Sequence, residues 1–475
     1  MPSLAGLVKA YDVRGVVPDQ LDEVVARALG AAFAHVAGVD DADAEPGLRR
    51  VVVGHDMRPS SPSLSRAFAQ GVTSQGGDVV LIGLCSTDGL YYASGSVDAP
   101  GAMFTASHNP AQYNGIKLCR AGARPVGEDT GLAEVRELAE RYLDEGLPTG
   151  SRQGQITEQD LLRDYAEYLR DLVDLSGLRP LTVVVDAANG MGGFTVPAVL
   201  ERGAGLAALP LTVIPLYFEL DGTFPNHEAN PLDPANLVDL QRAVVEHGAD
   251  LGLAFDGDAD RCFVIDERGA PLSPSAVTAL VASREIAKEL AAGREPVVIH
   301  NLISSRAVPE IIREAGGTPV RTRVGHSFIK AQMASEHAVF GGEHSAHYYF
   351  RDFWYADTGM LAAMHVLAAL GEQDEPLSVL GADYERYVSS GEINSTVADA
   401  AGRTAAVRAE LMVDGVVADE LDGLTLTLDG ADGRPQWWLN LRASNTEPLL
   451  RLNVEAADEP TLQRVRDEAL AVIRA

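Results

Sequence analysis

Three times along this chain, short β-branched runs alternate with longer amphipathic stretches, and each time a third strand delivers the backbone into a polar loop. The first pass takes Val51–Gly54, a helix after Pro62, Asp78–Ile82, a helix near Leu90 and Ala102–Thr105, and its loop reads Ser107-His108-Asn109-Pro110. The second runs through Leu181–Val185, Leu211–Ile214 and Leu251–Phe255 to Asp256-Gly257-Asp258-Ala259-Asp260-Arg261. The third uses Pro296–Ile299, Thr318–Arg321 and Ala338–Phe340, then Gly342-Glu343-His344-Ser345-Ala346-His347. Such alternation belongs to α/β domains with parallel strands. Ligands of open parallel sheets bind beyond the carboxyl ends of the strands, so three equivalent loops can converge on one cleft. A chance echo, which any long α/β chain can show, competes with duplication; duplication is the more economical.

The last quarter breaks the rhythm. Leu424–Leu428, Gln436–Leu441 and Leu449–Val454 read as neighbouring antiparallel strands before a terminal helix over Glu459–Arg474. At 475 residues the chain exceeds what one core supports. The predicted class is α/β with four domains: three duplicated βαβαβ mixed-sheet α/β domains plus a C-terminal α+β domain around a central cleft. Boundaries are expected at 1–150, 151–268, 269–382 and 383–475.

Charge and cysteine usage narrow the partners. A formal charge of −30 disfavours nucleic acid and anionic membranes, which need a basic footprint. Cys85, Cys119 and Cys262 are far apart and form no CxxC pair, so no disulfide framework is expected and a reducing cytoplasm fits best. No run approaches the ~18 apolar residues of a membrane span, and the N-terminus lacks a secretory pattern.

Chemistry gathers in the loops. Ser107 follows a strand, and Pro110 bars continuation, so its hydroxyl is presented on a tight turn. Taken alone, such a serine is an ordinary turn residue. Asp256, Asp258 and Asp260 alternate, which in an extended loop points three carboxylates to one side, with Gly257 and Ala259 leaving room for an ion. An all-oxygen set favours Mg²⁺ over Zn²⁺; the competing reading is a solvated acidic turn.

The loops Thr105–Pro110 and Asp256–Arg261, with Gly342–Phe350 and Arg442-Ala443-Ser444-Asn445-Thr446-Glu447-Pro448, together resemble the α-D-phosphohexomutase family, most closely its phosphomannomutase/phosphoglucomutase branch. The resemblance spans essentially the whole chain, with one motif per expected domain. It implies a phosphorylated Ser107, Mg²⁺ held by Asp256, Asp258, Asp260 and the phosphoserine, and a hexose 1,6-bisphosphate that primes the enzyme. A small phosphosugar would be converted between its 6-phosphate and 1-phosphate, with mannose, glucose or both as the sugar.

By the same resemblance, Arg14 and Lys117 lie near the phosphoserine with catalytic roles, while Arg261, directly after the metal loop, and Tyr11 would contact the substrate. Each of these cations, taken alone, is an ordinary surface charge. Glu343 and Ser345 would read ring hydroxyls O3 and O4, with His347 beside them. His326, in Val324-Gly325-His326-Ser327, joins Lys117 as a candidate acid/base. Arg442, Ser444, Asn445 and Thr446 offer a guanidinium, hydroxyls and an amide to the phosphate that is not reacting. One departure stands out. Relatives carry a lysine after the first strand of the third domain, where this chain reads Asn301-Leu302-Ile303-Ser304-Ser305-Arg306, so contacts there differ or Arg306 substitutes. Alternatives are phosphoglucosamine mutase, although His344 stands where that group shows Gln, a Mg²⁺-dependent sugar phosphatase, and a binding protein on an inactive scaffold. The sequence leaves monomer or dimer open.

Overall fold

The computed structural model describes residues 3–41, 49–150, 152–431, 433–443 and 449–475, with only the backbone at His326. They form two compact units: 1–272 with 345–378, and 273–344 with 379–475. The chain thus enters the second unit, returns for a 34-residue segment and leaves again.

In the first unit, strands Asp78–Leu84, Arg50–His55 and Gly101–Phe104 lie side by side in parallel. Tyr113–Arg120 runs antiparallel against Gly101–Phe104, and Val13–Val16 against Tyr113–Arg120. The second sheet repeats the plan: Leu211–Leu216, Leu181–Asp186 and Leu251–Phe255 are parallel, and Cys262–Asp266 returns antiparallel beside Leu251–Phe255. In both sheets the chemistry-bearing loop joins the third parallel strand to this returning strand. Val51–Val53 and all of Leu251–Phe255 are buried, as expected of strands covered on both faces. The hairpin Tyr348–Phe350/Ala356–Asp357 and helix Gly359–Gly371 complete this unit. That helix is apolar all round and almost wholly buried, which marks it as core rather than surface.

The helices start where local chemistry says they should. Ser86 accepts from the Gly89 amide to cap Thr87–Ser96, and Pro62 sits in the first turn of Ser61–Ser74. Thr358 caps Gly359–Gly371 through the Leu361 amide.

In the second unit, Thr318–Thr322, Val297–Asn301 and Phe340–Gly342 are parallel. A separate antiparallel sheet runs Val388–Thr396, Leu449–Ala456, Pro435–Ala443, Leu424–Asp429 and Val416–Asp419. Helix Glu459–Ile473, capped by Asp458, packs Leu462, Val465, Ala469 and Ile473 into that sheet's core. Among the described residues no helix is long and apolar enough to cross a membrane.

Helices Glu23–Val36 and Ser61–Ser74 approach through glycine. A Cβ on Gly30 would lie 2.1 Å from the Phe68 carbonyl oxygen, and one on Gly71 would lie 2.0 Å from that of Arg27. Gly71→Val is expected to lower the unfolding free energy by about 1–3 kcal/mol, whereas Gly6→Ala, with no atom within 4 Å of its added Cβ, should change nothing measurable. Urea unfolding of the full chain checks both.

Candidate active site

Ser107 follows Gly101–Phe104 in a left-handed conformation, φ 49°, uncommon for a residue with a side chain. The Thr105 hydroxyl accepts from its amide at 2.9 Å, and its own hydroxyl donates to Asp256 Oδ2 at 2.9 Å. The two loops touch directly, since a Cβ on Gly257 would stand 2.4 Å from the Ser107 carbonyl oxygen. Only glycine permits that approach. Ala259 is a second left-handed residue, φ 59°.

Asp256, Asp258 and Asp260 are fully buried, with ligand oxygens all within 4.8 Å of one another. Asp256 Oδ2 also accepts from Arg261 Nε at 3.0 Å. Asp258 Oδ2 accepts from Lys117 Nζ at 2.7 Å and from the Thr87 hydroxyl at 2.6 Å, and Asp260 Oδ2 accepts from Lys117 Nζ at 2.5 Å. Asp258 Oδ1 and Asp260 Oδ1 are buried without a hydrogen bond.

Three carboxyls therefore face two contacting cations, Lys117 and Arg261. The titration pattern follows. Burial, abetted by Asp260 and Asp258, pushes Asp256 up to about 7 against the pull of Arg261. Burial opposes ionisation of Asp258 and Asp260 too, yet Lys117 holds both below the usual carboxylate range, helped at Asp258 by the Thr87 hydroxyl. One negative charge in excess, hard oxygen donors and two orphaned carboxylate oxygens are what a divalent cation such as Mg²⁺ satisfies. Asp256, Asp258, Asp260 and Ser107 are the residues that would hold it.

Other predicted positions collect around Ser107. Arg14 donates to the Ala106 carbonyl at 3.4 Å and to the Asn109 side chain, while Asp12 accepts from its Nε at 2.8 Å. His347 bridges Arg261 through the backbone, stands 3.8 Å from Asp260 Oδ1 and contacts the Ser345 hydroxyl at 3.0 Å. Tyr11 is half-buried beside strand Val13–Val16.

The second unit carries the rest. Glu343 follows strand Phe340–Gly342, is buried, and accepts long hydrogen bonds from the Gly325 amide at 3.3 Å and Asn301 at 3.4 Å. Arg442 lies half-buried on strand Pro435–Ala443. The backbone of His326 opens helix His326–Glu336; its side chain, and Ser444, Asn445 and Thr446, lie outside the described residues. Arg306 sits 3.8 Å from Asp429, and its amide donates to Glu455 at 2.9 Å.

Four further residues shape the site. His108 accepts from Arg261 Nη2 at 2.7 Å, and burial with Arg261 and Arg14 pushes it down to about 2, leaving the ring neutral. Its place beside Ser107 was a signal the sequence offered. Thr87 reaches Asp258 from a helix start distant in sequence. Asp88 accepts from Tyr165 at 2.8 Å and Thr358 at 2.7 Å, and burial pushes its carboxyl up to about 6. Arg58 holds the Ser107 loop from behind.

Four domain models of phosphoglucomutase/phosphomannomutase match in order: α/β/α domain I over residues 5–144, domain II over 163–269, domain III over 273–387 and the C-terminal domain over 392–472. The chain belongs to the phosphoglucomutase/phosphomannomutase family. A protein of Xanthomonas campestris pv. campestris named for phosphohexose mutases is 40% identical over 466 residues, covering 98% of each chain. A phosphomannomutase of Escherichia coli is 38% identical over 470 residues, again with 98% of each covered. The crystal structure of a phosphoglucomutase/phosphomannomutase family protein from Burkholderia thailandensis superposes with a TM-score of 0.84 at 30% identity, over 100% of this chain and 98% of that one. A likeness at 15% identity to an N-acetylphosphoglucosamine mutase of Aspergillus fumigatus shows the shared fold.

For this family member, Mg²⁺ should bind the purified protein, and Asp258→Asn should weaken that binding at least tenfold while circular dichroism stays unchanged. Calorimetric titration of the two proteins measures it; equal affinities would remove the acidic loop as the cation site.

Proposed function

We propose that this chain is a phosphohexomutase that interconverts hexose 6-phosphate and hexose 1-phosphate, using mannose and glucose, through phosphorylated Ser107 and a hexose 1,6-bisphosphate. The observation that carries the reading is the Ser107 hydroxyl, hydrogen-bonded to Asp256 in a loop where two carboxylate oxygens lack partners and three cations stand close by.

Phosphoryl transfer asks mainly for positioning and for neutralisation of oxygen charge. Arg14, Lys117 and Arg261 supply fixed positive charge about the serine. A bound Mg²⁺ would neutralise phosphoryl oxygens and hold them in place. In the first half-reaction a sugar hydroxyl attacks the phosphorus of phosphoserine, loses its proton to a base, and Ser107 Oγ leaves, giving the bisphosphate. After the sugar turns end for end, Ser107 Oγ attacks the other phosphate and the freed sugar oxygen takes a proton. Of the two acid/base candidates, His326 is the one for that proton, because Asp258 and Asp260 hold Lys117 in its charged form. Neutral His108 accepts from Arg261 through Nδ1, which lies 3.2 Å from the Ser107 hydroxyl.

Glu343 and Ser345 are assigned to O3 and O4, with Tyr11 and His347 as further substrate contacts. Arg442 with Ser444, Asn445 and Thr446 is assigned to the distal phosphate. Contacts to O3 and O4 do not report the configuration at C2, so glucose and mannose phosphates should both turn over, with a preference well under about 10⁴-fold.

Incubation with mannose 1-phosphate, glucose 1-phosphate and glucosamine 1-phosphate separately, read by phosphorus NMR, tests the reading. The 6-phosphates of mannose and glucose should appear. Release of free phosphate would make the protein a phosphatase, and conversion of the amino sugar alone would make it a phosphoglucosamine mutase. Peptide mass spectrometry should find phosphate on Ser107 in part of the purified protein, and Ser107→Ala should abolish turnover.

Arg442→Ala should lower kcat/KM about 10- to 150-fold on both sugars, the equivalent of about 1.5–3 kcal/mol for hydrogen bonds to a charged group. Arg442→Lys should recover only part, because an ammonium loses the two-pronged geometry. Steady-state kinetics with the released bisphosphate quantified would expose the error if neither value moved.

A further inference from the structure

Behind the Ser107 loop lies one guanidinium that no substrate can reach. Arg58, just past strand Arg50–His55, is 1% exposed and among the largest fully buried side chains. Its Nη1 donates to the carbonyls of Pro110 and Tyr113, each at 2.9 Å. Its Nη2 donates to those of Ser107 at 2.9 Å and Asn109 at 2.7 Å. Four donors of one rigid fork are thus spent on one turn of backbone. Asp56 Oδ2 lies 3.2 Å from Nε, and Asp56 Oδ1 is fixed in turn by the Arg58 amide at 3.0 Å and the Ser61 hydroxyl at 2.6 Å. The Phe224 ring covers the outer face, 5.1 Å from Cζ.

A buried ion pair is weak grounds for stability, since desolvation offsets most of the attraction. What this one does supply is geometry. Ser107 sits in a sparsely populated conformation, which persists only where the surroundings over-determine it. Two of the four carbonyls belong to Ser107 itself and to Asn109, whose side chain accepts from Arg14.

We propose that Arg58 is a positioning residue for phosphoryl transfer: by tying down the carbonyls of Ser107, Asn109, Pro110 and Tyr113 it fixes the direction in which the Ser107 hydroxyl faces the acidic loop. This rests on Ser107 being the phosphoryl carrier. A lysine cannot replace it, because a point charge on a flexible stem cannot bridge four fixed acceptors.

The test is Arg58→Lys in the full chain. The kcat should fall at least 100-fold, with KM for the hexose phosphate within threefold of wild type. Hydrogen exchange followed by mass spectrometry should quicken at least tenfold over residues 106–113 and stay unchanged over Leu181–Asp186. Wild-type kcat and exchange would overturn the proposal. So would exchange quickened throughout the first unit in step with activity, which is the mark of a merely structural role. If Arg58→Lys does not fold, Asp56→Asn takes its place: it leaves the four carbonyls but removes the charge facing Nε, and should cost 5- to 50-fold in kcat with the same local signature, unchanged values again overturning the idea. Wild-type protein inactive on every phosphosugar would sink the functional reading instead, while exchange over 106–113 would still report whether Arg58 holds the loop.

Discussion

Two loops lie against each other with no space between them, and the site depends on that contact. A methyl group at Gly257 would stand 2.4 Å from the Ser107 carbonyl oxygen, so the acidic loop approaches the serine only because one residue has no side chain. The approach puts Asp256 within hydrogen-bond reach of the Ser107 hydroxyl. Both loops follow the third parallel strand of their sheet and precede an antiparallel return, so each is anchored at both ends by buried β structure.

The same closeness creates an electrostatic demand. Three buried carboxyls repel one another, and the chain answers them with Lys117 and Arg261. In a protein of net charge −30, cations here are placed rather than abundant. Removing one partner from such a cluster is costly because it leaves the other charge buried and unpaired. A divalent cation bound there would relieve the same repulsion.

Much of this was legible in the sequence. The apolar runs over 51–54, 181–185 and 251–255 matched strands Arg50–His55, Leu181–Asp186 and Leu251–Phe255, because strands buried on both faces must be apolar throughout. The alternate aspartates announced their shared direction by spacing alone. The returning strands Tyr113–Arg120 and Cys262–Asp266 were harder to see, since no tight hairpin turn marks them and long polar loops precede them. Strand Val388–Thr396 has a mixed, half-exposed pattern with a register shift, and periodicity does not reveal such a strand. Arg58, Thr87 and Asp88 were illegible for a different reason. Their meaning comes from partners 49 to 270 residues away, and nothing local separates a buried arginine from a solvated one.

The return of residues 345–378 bears on how the chain is made. Helix Gly359–Gly371, with its all-round apolar surface, belongs to the core of a unit that otherwise ends at residue 272. A ribosome must therefore deliver more than a hundred further residues before the first unit can finish its core and receive His347. The contacts that complete it span long stretches of chain, the kind that form slowly. The interleaved order thus ties completion of the first unit to synthesis of the segment between its two parts, although residues 4–139 already form a core of their own.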